Sequence, residues 1–232
     1  MQRGVLVLIL ALSVVVLLTV VISQLSPYKQ AQATHDLTRS IRSQVNNQES
    51  QRAFEQYMAL GREFREQTDL KKAEEMYRQA LQFDDRSPDA FLALGMIMLE
   101  RQRVSQAESY FSRLPELAPA NSLSYIYLAF TQINLGELTR AEKTISLGLE
   151  RSTDNLTGRL HLMQACVDQL QHEQEQAIAH LRQAHAELGA AIVDLVEAGW
   201  AEPVKGMPYY QGLKSNLQMN QSPAYAIPAV QR

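Results

Sequence analysis

Cys166 is the only cysteine in 232 residues. A lone thiol closes no intramolecular disulfide and supplies no zinc cluster, so a disulfide scaffold and a zinc finger are both excluded and stability has to come from packing. Charge of one sign is missing too. Twenty-two Lys+Arg stand against 25 Asp+Glu, with a pI near 6.0. No basic field exists to hold a phosphate backbone through counterion release, and nucleic acid is not an expected partner. The glycines are scattered rather than gathered into a phosphate-binding loop. Nor is there a catalytic constellation. His161, His172, His180 and His185 are close in sequence, but the last two would point about 140° apart on a helix, and no cysteine or carboxylate set joins them. Cys166 reads as a structural thiol. No enzyme activity, metal or cofactor is expected.

One long apolar run is present. Residues 5–22, VLVLILALSVVVLLTVVI, hold only Ser13 and Thr19 as polar positions. As a helix they would span about 27 Å, close to the hydrocarbon thickness of a bilayer. The rival reading is a cleaved secretory signal, with Arg3 as a basic flank and Ala31-Gln32-Ala33 as a small-x-small site. The run is longer than a usual signal core, and the candidate site lies beyond Pro27, so an uncleaved anchor over residues 1–22 is the expectation. The run is followed by no nearby cysteine, which excludes a bacterial lipoprotein anchor. Arg3 directly before the helix, with Lys29, Arg39 and Arg42 further after it, favours a cytoplasmic N-terminus and a single-pass protein whose body is extracytoplasmic, periplasmic in a Gram-negative source. Residues 23–52 are rich in Gln, Ser and Asn and read as a polar stalk, with a solvated helix as the alternative.

The middle of the chain repeats itself with a shift of 34 residues. Tyr57, Phe91 and Tyr125 fall in register, as do Leu60, Leu94 and Leu128, and then Gly61, Gly95 and Ala129. Further on, Leu70, Val104 and Leu138 align, followed by Ala73, Ala107 and Ala141, and by Tyr77, Phe111 and Ile145. Each unit therefore supplies two amphipathic helices, with small residues where the axes approach and large ones filling the space left over. Ser87-Pro88 and Ala118-Pro119 punctuate the joints.

The pattern Leu60-Gly61-x-x-Phe64, Ala73, Tyr77 and Ala80 resembles the tetratricopeptide repeat. The resemblance implies an all-α fold: a right-handed solenoid of three to four helix pairs behind the N-terminal helix. The array would occupy 54–187, with units at 54–87, 88–121 and 122–155 and a divergent one at 156–187. Ile192, Leu195, Val196 and Trp200 share one helical face and would cap the last unit within 188–217, leaving 218–232 as a mobile tail.

In such a solenoid the first helix of each pair lines the inner surface. The candidate binding residues are Met58, Arg62 and Arg65, then Leu92, Met96 and Leu99, then Ile126, Phe130, Ile133 and Asn134. Most are apolar where a solvated row would be polar. They fit a groove for an apolar or amphipathic helix or peptide of a protein partner, with the arginines meeting an acidic flank. The competing reading is that the C-terminal helices, Trp200 included, fold back and fill the groove. The function expected is a membrane-anchored scaffold that recruits or positions a partner while a secretion, pilus or respiratory complex is assembled. The alternative is a permanent structural subunit of a membrane complex.

Overall fold

The computed structural model describes residues 27–221, with side-chain surroundings for 47–217, and in that range every regular element is a helix. The expected anchor at 5–22 and the chain beyond 221 lie outside the described residues. Among the described residues no helix is long and apolar enough to cross a membrane.

The chain divides into two compact units between Gln56 and Tyr57. Helix α1, Pro27–Glu66, runs through this boundary, so the stretch read as a stalk is helical from Pro27 onward. From Tyr57 on, the last turns of α1 pair with α2 (Leu70–Ala80), α3 (Pro88–Glu100) with α4 (Val104–Phe111), α6 (Ser122–Asn134) with α7 (Leu138–Arg151), and α8 (Thr157–Leu170) with α9 (Gln174–Leu188). A single turn, α5 (Leu114–Leu117), joins the second pair to the third. Helices α10 (Ala191–Glu197), α11 (Glu202–Lys205) and α12 (Pro208–Gln221) complete the described chain, and α12 carries helix past the expected end of the cap at 217.

The same local device turns each pair. After the first helix one residue adopts the left-handed region: Thr68 (φ 60°), Gln102 (59°), Gly136 (76°) and His172 (66°). The next amide then reaches back five residues, from Asp69 to the Phe64 carbonyl, Arg103 to Met98, Glu137 to Gln132 and Glu173 to Asp168, at 2.8–2.9 Å. Two otherwise orphaned groups at the helix end are thereby satisfied. The first three turns keep the 34-residue period, and the fourth comes 36 residues after the third. Helix starts are capped by side chains: Asp69 accepts from the Lys72 amide, Ser87 from Ala90 ahead of Pro88, and Asn121 from Leu123.

Only the third turn uses glycine, so three side chains sit where L-residues pay a steric penalty, most severely the β-branched Thr68. Thr68→Gly is expected to raise stability by about 0.5–1 kcal/mol, since the strain removed exceeds the added entropy of the unfolded chain. Urea unfolding followed by circular dichroism reads this directly, and an unchanged or lower midpoint would contradict it.

Packing between paired helices follows the small-large alternation of the sequence. A Cβ on Gly61 would lie 2.6 Å from the Tyr77 ring, and one on Gly95 would lie 2.2 Å from Phe111. In the third pair Ala129 stands where the glycines stood and Ile145 replaces the aromatic; both are fully buried. Adjacent pairs are tied by ion pairs: Arg101 with Glu74, Arg65 with Glu100, and Arg140 with Glu108 at 2.6 Å. Helices α6 to α12 share one continuous core that includes Tyr125, Ile145, Leu160, Leu181, Val196 and Tyr210.

Candidate functional site

The predicted inner residues fall into two environments. Met58 and Ile126 are buried, Leu92, Met96, Leu99, Phe130 and Ile133 are half-buried, Arg65 is half-buried, and Arg62 and Asn134 are exposed. At the N-terminal end, Arg65 lies across the step from α1 to α3: its Nε donates to Glu100 Oε1 at 2.8 Å and its Nη1 stands 4.0 Å from the Met96 sulfur. Arg65 is thus already compensated. It is not available to an acidic flank in the way the sequence suggested, whereas Arg62 has no ion pair among the described residues.

At the C-terminal end the row is covered from within the chain. Gly199 adopts φ +87°, and the Trp200 amide bonds back to the Leu195 carbonyl at 3.1 Å, which reverses the chain after α10. Trp200 then packs 4.9 Å from Phe130 and edge-on to Tyr127 at 5.3 Å, and Tyr127 stacks on Phe111 at 5.1 Å. Three aromatic contacts in series fix this segment against α6. The fold-back weighed against an open groove therefore occupies the part formed by Phe130 and Ile126, while Leu92, Met96 and Leu99 on α3 keep a partly exposed apolar surface.

Helix α8 continues the row with residues that the 34-residue alignment did not single out. Arg159 and Met163 line a cleft with Ile126, Leu162, Leu195 and Trp200. Cys166 and Leu170 line a cavity of about 400 Å³ with Phe130, Ile133, Asn134, Trp200, Glu202 and Pro203. Arg159, Met163 and Cys166 follow Ile126, Phe130 and Ile133 by 33 residues rather than 34, a one-residue slip that put them out of phase with the other repeats. The Cys166 thiol is buried, which pushes its pKa far up and leaves it protonated and unreactive. Burial also pushes the Tyr127 hydroxyl up, while the guanidinium groups of Arg159 and Arg65 pull against it, so both cations act on this one hydroxyl.

The histidines form a separate feature at the α8–α9 interface. Asp168, 1% exposed, accepts from Gln164 Nε2 at 2.8 Å and pairs with His180 Nδ1 at 2.6 Å. The His161 ring stacks on His180 with centroids 6.2 Å apart. Burial holds the His161 pKa below its ordinary value against the pull of Glu187, whose carboxylate lies 3.7 Å from His161 Nε2. Among the described residues no group of three or more His, Cys, Asp or Glu is arranged to hold a metal ion.

Four stacked helix pairs turned by one repeated motif define a helical-repeat solenoid. The tetratricopeptide repeat family model matches residues 64–125. No curated protein matches the sequence. Among solved structures the fold is similar to MamA, at 16% identity and a TM-score of 0.57 over 77% of this chain and 98% of that one. It is also similar to YrrB, described as a TPR protein with an unusual peptide-binding site, at 19% identity and 0.52 over 61% and 72%. PilF of Pseudomonas aeruginosa matches at 16% identity and 0.53 over 72% and 77%. At such identities the likeness is one of fold.

Proposed function

We propose that this protein is a membrane-anchored interaction scaffold. Residues 5–22 hold it in the bilayer, its body is extracytoplasmic, and the inner face of the repeats takes an apolar or amphipathic helix or peptide of a protein partner. It acts by binding, without turnover, and positions that partner while a membrane or envelope complex is assembled. The observation that carries this reading is the row Leu92, Met96 and Leu99, which stays partly exposed on α3 where a solvated face would be polar. Unbranched methionine suits a surface that adapts to a partner helix. The description of YrrB as peptide-binding supports the same use of the fold.

Leu92→Glu combined with Met96→Glu should abolish capture of partner proteins from solubilised membranes and leave far-UV helicity unchanged. Undiminished capture would defeat the proposal. Phe130 is unsuited to this test because it supports Trp200. The cover that Trp200 places on the C-terminal part of the row favours a second reading, a permanent structural subunit with no exchangeable ligand. Co-purification in fixed stoichiometry through detergent would support that reading over the first.

A further inference from the structure

Arg159 stands out among the cations of the repeat body. Arg65, Arg101 and Arg140 each pair with a carboxylate of a neighbouring repeat. Arg159 makes no ion pair among the described residues, and its Nε is buried with no hydrogen-bond partner. Ile126, Leu162, Met163, Leu195 and Trp200 line the same narrow cleft and the Arg159 side chain is half-buried, so an unmet donor is costly there and a charge-assisted bond is stronger than on an open surface. The sequence also places this cation in register with the apolar Ile126 at the next step of the inner row. Trp200 lines this cleft, packs edge-on to the Tyr127 ring at 5.3 Å and also lines the cavity of about 400 Å³.

We propose that Arg159 receives the side-chain carboxylate of an Asp or Glu in the partner peptide, while a bulky apolar residue beside it enters the cavity lined by Phe130, Ile133, Cys166, Leu170 and Trp200. The inference rests on the groove reading and adds the partner's chemistry. Charge complementarity selects the occupant: one guanidinium with an apolar rim matches a single carboxylate, whereas a phosphate or polyanion calls for several convergent cations.

A random peptide library selected on the full-length chain tests this, with Trp200, the only tryptophan, as the fluorescent reporter. Enriched peptides should carry Asp or Glu beside a bulky apolar residue and should change Trp200 emission. Arg159→Gln in the protein, or Glu→Gln in the peptide, should each weaken binding about tenfold or more, and the two together should cost little beyond either alone. The peptide substitution keeps the test valid even if Arg159→Gln perturbs folding. Peptides that depend on Leu92 and Met96 yet ignore both changes would overturn the carboxylate site and leave the groove standing. A selection giving no specific peptide, or peptides indifferent to Leu92 and Met96 as well, would overturn both.

Discussion

Gly95→Ala should cost this protein about 2 kcal/mol of stability although it adds only a methyl group. The new Cβ would lie 2.2 Å from the Phe111 ring, far inside van der Waals contact, and both residues are buried. The ring has little room to retreat, because it also stacks on Tyr127 at 5.1 Å. Overpacking of this kind costs about 1–3 kcal/mol, and the better helix propensity of alanine returns only part of it. The third repeat shows the remedy, since Ala129 there coexists with Ile145. Phe111→Ile alone should also destabilise, by leaving a void. The double variant Gly95→Ala with Phe111→Ile should be more stable than the sum of the single losses predicts, by about 1 kcal/mol or more. Chemical denaturation of all four proteins measures this, and strictly additive losses would show that the two positions do not share the contact.

Asp168→Ala is expected to have the largest single effect on the α8–α9 pair, about 3 kcal/mol. The carboxylate is 1% exposed and satisfies both Gln164 and His180. Its removal leaves a buried amide donor and an imidazole without their acceptor and opens a void, and breaking a buried pair from one side is the costly way to break it. Asp168→Asn keeps the shape and one acceptor oxygen and should lose roughly half as much. A loss below about 1 kcal/mol for Asp168→Ala in urea unfolding would mean that water replaces the carboxylate at little cost.

The repeat architecture was legible in the sequence because its determinants are local and periodic. A glycine opposite an aromatic at Gly61/Tyr77 and Gly95/Phe111, and turns placed 34 residues apart, are patterns a single strand of letters displays. The inner row over Met58, Leu92 and Ile126 followed from the same period. Two parts of the site did not. Arg159, Met163 and Cys166 run one residue out of phase, so the alignment that found three units passed over the fourth contribution to the surface. The cover over Phe130 depends on the left-handed turn at Gly199, which brings Trp200 back against a helix some 70 residues earlier. The sequence offered this fold-back over the groove as one of two readings, and the turn at Gly199 decides between them for the part at Phe130. Asp168 was hidden for a similar reason: its partner His180 lies on the next helix, and their pairing depends on how α8 and α9 dock.

The central claim is that the inner face of α3 is where a partner protein sits. A photo-crosslinking amino acid installed at position 96 of the full-length chain in intact cells tests it most directly, with position 109, exposed on α4, as the control. A discrete adduct formed from position 96 and absent from position 109 is the predicted result. Equal adducts at both positions, or none from position 96, would contradict the account.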